Sequence, residues 1–181
     1  MKSIMLLLFV GLITLVIYMT ITLGVFKQVT VTEGAYQELH LLYKDHLGPY
    51  HTIAEVIKDV ETWAQAQGID CKITFGQFID DPSVVEHERL KSRGGCVVAT
   101  FPEKFPIEMK TLLIPTRNYI LAHFDGSPWL GPYKVYAKVA EFANERKVRI
   151  NEPVIELYKL IDAHHLETTY LFPWPLAEPV K

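Results

Sequence analysis

The stretch Tyr36-Gln37-Glu38-Leu39-His40-Leu41-Leu42-Tyr43-Lys44-Asp45-His46-Leu47-Gly48-Pro49-Tyr50 has a counterpart further along the chain. Tyr36, His40, Leu47-Gly48-Pro49-Tyr50 and Val56 recur as Tyr119, His123, Leu130-Gly131-Pro132-Tyr133 and Val139, each pair 83 positions apart. A constant offset held across a strand-like run, a turn and a helix start reads as two copies of one supersecondary unit. Two like units packed side by side create a seam, and seams are common places for ligand sites.

Outward from these runs the pattern is strand-helix-strand-strand, twice. Tyr36 to Tyr43 alternates as a strand, and Gly48-Pro49 opens a helix. Ile53, Val56, Ile57, Val60 and Ala64 carry the helical apolar period, and Gly68 stops it. Cys71 to Ile79 and Gly95 to Phe101 read as strands separated by Asp80-Asp81-Pro82. Pro102 to Pro115 reads as a linker. In the second copy, Arg117 to Phe124 is a strand and Gly131-Pro132 opens a helix. Pro153 to Leu160 and Thr168 to Phe172 are the closing strands. The expectation is an α+β fold: tandem repeats, 35–101 and 116–174, forming an antiparallel sheet with two helices on one face.

The chain has 181 residues, one domain's worth. Ile4 to Phe26 carries no charge and is long enough to span a bilayer core. It exceeds the usual apolar region of a signal peptide, and no small-x-small site follows it. Residues 1–26 are therefore expected to form a retained single-pass transmembrane anchor and 27–34 a tether. Lys2 and Lys27 flank the span almost evenly, leaving the positive-inside rule little to count. Beyond Lys2, 17 basic and 21 acidic residues remain, and no basic stripe appears. A nucleic-acid partner is not expected. No tail structure is assigned over 175–181.

Cys71 and Cys96 fall in strand-like runs of one hairpin centred near His87. That register sets Cys96 opposite Phe78, so both are expected to be free core thiols. His164-His165 carries no metal spacing, and neither a metal nor a cofactor is expected. No phosphate loop, nucleophile elbow or zinc-protease motif is present.

Strand alternation sorts candidate site residues by face. Leu39, Leu41, Ala122, Phe124, Ile155 and Leu157 form an apolar set assigned beneath the helices. Tyr36, Glu38, His40, Tyr119, Leu121, His123, Glu156 and Tyr158 then fall on the open face, with Tyr170 and Phe172 the preferred additions. A carboxylate among aromatic rings suits a cationic ligand through ion pairing and cation–π contact. With a raised pKa it could serve as a general acid or base. The plainer alternatives are that Glu156 is a solvated strand residue, that His40 and His123 are structural, and that Trp129 belongs to the core.

The repeated unit, its Gly-Pro-Tyr helix starts, Pro153-Val154-Ile155-Glu156-Leu157-Tyr158 and Glu167-Thr168-Thr169-Tyr170-Leu171-Phe172-Pro173 together resemble the GyrI-like small-molecule-binding family. The resemblance covers about residues 30 to 174. It implies a ligand cleft between two units, with Glu156 contacting lipophilic cations and Tyr119, Tyr158 and Trp129 as aromatic walls. Some relatives hydrolyse strained rings with a comparable acid, which would give Glu156 and Tyr158 catalytic roles. The anchor-plus-domain layout is similar to that of eukaryotic ER-phagy receptors carrying such a domain. In the first unit Gln77 best matches Glu156, so an asymmetric site is expected. Small-molecule binding, hydrolysis and protein docking at a membrane remain the three functional classes. The resemblance slightly favours the cytoplasmic side.

Overall fold

The computed structural model describes residues 2–150, 153–162 and 165–174. The first element is one apolar helix, α1 (Lys2–Thr22). The strands are β1 (Thr30–Tyr36), β2 (Leu39–Leu47), β3 (Ile73–Phe78), β4 (Lys91–Val98), β5 (Met109–Ile114), β6 (Arg117–Phe124), β7 (Val154–Asp162) and β8 (His165–Pro173). The remaining α-helices are α2 (Ile53–Ala66) and α3 (Gly131–Arg146). The eight strands form one antiparallel sheet in the order β1-β6-β8-β7-β3-β4-β2-β5.

Two strands lie where the sequence suggests none. β1 occupies most of the expected tether, and β5 lies inside the proline-rich linker. Both are edge strands. An edge strand needs only one hydrogen-bonded neighbour and one partly buried face, so its apolar signal is weak.

The faces are read from cross-strand partners, which share a side of the sheet. One row runs Lys44–Gly94–Gly76–Glu156–Tyr170–Ala122–Val31. A Cβ at Gly94 would press on Ile57 and Ile53 of α2, and one at Gly131 of α3 would collide with the Tyr170 hydroxyl. Both helices therefore cover this face. Val60 and Ala64 of α2 pack with Leu42, Cys96, Val98 and Met109 beneath them. Val135 and Val139 of α3 pack with Ile120, Ala122, Phe124 and Phe172.

The opposite face is buried as well. Leu39, Leu41, Tyr43, Phe75, Tyr119, Ile155, Leu157 and Leu171 form a cluster of their own, with Leu41, Phe75 and Leu171 fully inaccessible. These side chains bury one another. This overturns the expected partition. Leu39, Leu41, Ile155 and Leu157 lie away from the helices, while Glu156, Tyr158 and Tyr170 lie beneath them. Both faces carry apolar residues, so hydrophobicity alone could not tell which one the helices cover.

The constant offset also does not carry over into equal geometry. His40 shares its face with Leu42, under α2, whereas His123 pairs with Thr169 on the opposite side. A one-residue slip in a strand reverses every side chain. Gly48-Pro49 precedes a 3-10 turn (Tyr50–Thr52) before α2 begins, while Gly131-Pro132 lies inside α3 itself.

Cys71 and Cys96 form a disulfide, contrary to the expectation of free thiols. The hairpin register sets Cys96 opposite Thr74, not Phe78. Cys71 sits before β3 begins, in the link after α2, and packs with Trp63 and Ile69 beside Cys96. A residue outside the ladder is not held to ladder spacing.

α1 is apolar all round, and Ile4–Thr22 is long and apolar enough to cross a membrane, with no part of it buried in the domain. Such a helix at the N-terminus suits an anchor or a signal sequence. The expected tail at 175–181 and His164 lie outside the described residues.

Candidate functional site

Glu156 stands on β7, near the middle of the sheet, beneath the helical layer. It is 5% exposed. The Tyr158 hydroxyl donates to Glu156 Oε2 at 3.0 Å. Tyr170 is its direct partner on β8, and Gly76 its partner on β3. Among the described residues no Lys, Arg or His forms an ion pair with this carboxylate.

Burial pushes the Glu156 pKa up to about 7, and the bond from Tyr158 draws it partly back. Burial and the neighbouring Glu156 also raise Tyr158 and Tyr170, so both phenols stay protonated. Tyr158 is thus a committed donor. The Tyr170 hydroxyl is buried and has no hydrogen-bond partner among the described residues. A buried hydroxyl without a partner costs about 1–3 kcal/mol.

The residues around the acid pack closely. Gly76 offers no side chain, and a Cβ there would approach the Phe78 ring at 3.1 Å and the Tyr158 hydroxyl at 3.4 Å. Phe78 stacks edge-on against Tyr50, and Tyr136 of α3 against Phe172. Tyr136 also lies near enough to Tyr158 to raise its pKa. Tyr158 and Tyr170 thus neighbour one carboxyl on the same face, a setting that favours a cation or a polarisable apolar group.

Of the expected site residues, the structure brings together Glu156, Tyr158 and Tyr170. Tyr119 lies on the face away from the helices, with Arg117 over its ring at 5.4 Å. It borders a separate cavity of about 390 Å³ lined by Glu33, Gly34, Asn118, Tyr119 and Trp174. That cavity is bordered by the exposed Glu33 and not by the buried Glu156. His123 bonds Thr169 on the same face at 3.0 Å. His40 contacts the Ala99 carbonyl at 3.1 Å and Glu38 at 3.2 Å. Trp129 is 77% exposed in the turn before α3. Gln77 does not mirror Glu156; it faces the other way and accepts from Arg93 at 3.1 Å. Gly76, Phe78 and Tyr136 escaped the sequence reading. Gly76 was detectable as a glycine inside a strand, which often marks a close approach.

These features define a small-molecule-binding fold with a buried acid at its centre. Residues 35–174 match the GyrI-like small molecule binding domain, and the chain belongs to that family. The EcmrR C-terminal domain is similar, with a TM-score of 0.65 at 14% identity, covering 81% of this chain and 98% of that one. SAV2435 bound to tetraphenylphosphonium has a TM-score of 0.56 at 12% identity, covering 81% of this chain and 94% of that one. The EcmrR–DNA complex gives a TM-score of 0.64 at 12% identity and 87% coverage of this chain, which spans 62% of that regulator's length. No curated protein matches the chain.

Proposed function

We propose that this protein is a membrane-tethered binding module for a cationic or apolar small molecule, held against Glu156 between Tyr158 and Tyr170. The observation that carries this reading is a carboxylate 5% exposed, on the helix-covered face, with no basic partner among the described residues. A buried ionised acid without a partner costs several kcal/mol, and a bound cation would offset that cost. The similarity to SAV2435, a protein bound to tetraphenylphosphonium, supports a lipophilic cation as the first probe. The seam between β7 and β3 supports a cleft between two related halves, since β2-β4-β3 on one side answers β6-β8-β7 on the other. The anchor role of α1 rests on its length and composition. Disulfides persist in oxidising compartments, so Cys71–Cys96 weighs against the cytoplasmic side that the resemblance favours. Titration of tetraphenylphosphonium into the full chain in lipid nanodiscs tests the reading; no saturable binding would refute it.

A second reading is hydrolysis at the same acid. It is favoured by a Glu156 pKa of about 7 beside a committed Tyr158 donor, a pairing suited to general acid–base work near neutral pH. Turnover of a strained electrophile that disappears in Glu156→Gln would support it. Turnover that persists would remove it.

A further inference from the structure

The end of α1 is bound to the turn that leads into α3. Gly24, with φ of 73°, closes the helix, and Val25 N–H returns to the Thr20 carbonyl at 3.1 Å. The chain then meets the β6–α3 turn backbone to backbone. Ser127 N–H donates to the Leu23 carbonyl at 3.1 Å, and Lys27 Nζ donates to the Asp125 carbonyl at 2.8 Å. Lys134 Nζ of α3 donates to the Val25 carbonyl at 2.8 Å and also to the Lys27 carbonyl. A Cβ at Gly24 would come within 2.8 Å of the Gly126 backbone.

This attachment positions three large aromatic side chains. Phe26, Trp129 and Tyr133 are 79%, 77% and 81% exposed. Nineteen helical residues from Ile4 to Thr22 rise about 29 Å, the depth of the hydrocarbon core, so Leu23 falls at its boundary. Trp129 follows Ser127 by two residues, and two residues reach at most about 7 Å. Trp and Tyr favour this depth because one part of each ring system is apolar and one part is polar. Lys27 and Lys134 lie in the same region, where anionic headgroups attract basic residues.

We propose that the β6–α3 turn and the start of α3 are a seat on the lipid surface, with Phe26, Trp129 and Tyr133 in the headgroup layer of the leaflet where α1 ends. The proposal rests on the reading of α1 as a retained span. The same turn of α3 places Gly131 on the Tyr170 hydroxyl, so the seat adjoins the Glu156 site.

The test is tryptophan quenching of the full chain in phosphatidylcholine vesicles carrying lipids brominated near the headgroup end of the acyl chains. Trp63→Phe with Trp174→Phe leaves Trp129 as the sole reporter; if that variant does not fold, the difference between wild type and Trp129→Phe isolates the same signal. The seat predicts at least twofold quenching of Trp129 and a blue-shifted emission. Unquenched Trp129 in a chain that resists alkaline carbonate extraction would overturn the seat while leaving the anchor. Extraction by carbonate would overturn both. Trp129 shielded from water yet unquenched, in a chain that cross-links as a dimer, would assign the surface to a second copy and overturn the lipid seat.

Discussion

Gly76 stands directly across the β3–β7 ladder from Glu156. The absence of a side chain there leaves the carboxyl bordered by Phe78 and the Tyr158 hydroxyl, each within 3.4 Å of where a Cβ would lie. The glycine lets an aromatic ring and a phenol close over a buried acid. Gly76→Ala, whose Cβ presses on Phe78 and the Tyr158 hydroxyl, is expected to retain the fold and weaken cation binding at least tenfold. Calorimetric titration alongside circular dichroism checks both, and unchanged affinity in a folded variant would show that ligand does not approach Glu156 from this side.

Glu156 makes stability depend on pH in a definite direction. Its folded pKa, about 7, lies above the ordinary value of 4.5. The folded state therefore holds the proton more tightly than the unfolded state. Stability is greatest below about pH 4.5 and declines as pH rises to about 7, by about 3 kcal/mol for a shift of that size. Glu156→Gln removes this contribution. Thermal unfolding across pH 5 to 8 should show the variant gaining relative to wild type as pH rises, and parallel curves would contradict the buried-acid account.

Tyr170 separates stability from binding. Its hydroxyl is buried without a hydrogen-bond partner among the described residues, so Tyr170→Phe should leave the melting temperature unchanged or raise it. If the hydroxyl serves a ligand, the same variant binds more weakly. A large loss of stability would reveal that the hydroxyl supports the fold instead.

The disulfide makes a prediction about the cell. Cys71 and Cys96 are 25 residues apart. Closing a loop of that length stabilises a domain by about 3 kcal/mol, so reductant should lower the melting temperature by several degrees. Membranes quenched in acid and then alkylated should yield a chain with no labelled thiols. Two labelled thiols would place the native domain in a reducing compartment.

The elements with strong periodicity were legible in the sequence. α2 announces itself by Ile53, Val60 and Ala64, all buried, and ends before Gly68, whose φ is 70°. β1 and β5 were hidden because edge strands bury little and one lies between prolines. The faces are not separable by hydrophobicity for a different reason: Leu39, Leu41, Ile155 and Leu157 are as apolar as Ala122 and Phe124, yet serve a second core on the face away from the helices. Glu156, Tyr158 and Tyr170 were nevertheless grouped together, because alternation along β7 and β8 holds whichever way the face points. His40 and His123 share the offset of 83, yet His40 faces α2 and His123 lies on the opposite face with Tyr119.

The most direct measurement is the affinity of tetraphenylphosphonium for the full chain and for Glu156→Gln in nanodiscs, at pH 6 and pH 8. Ionisation around pH 7 creates the counter-charge, so wild-type affinity should rise severalfold between the two conditions. The variant should bind at least tenfold more weakly at pH 8 and show no such rise. Equal affinity of the two proteins at pH 8 would contradict the central role of Glu156.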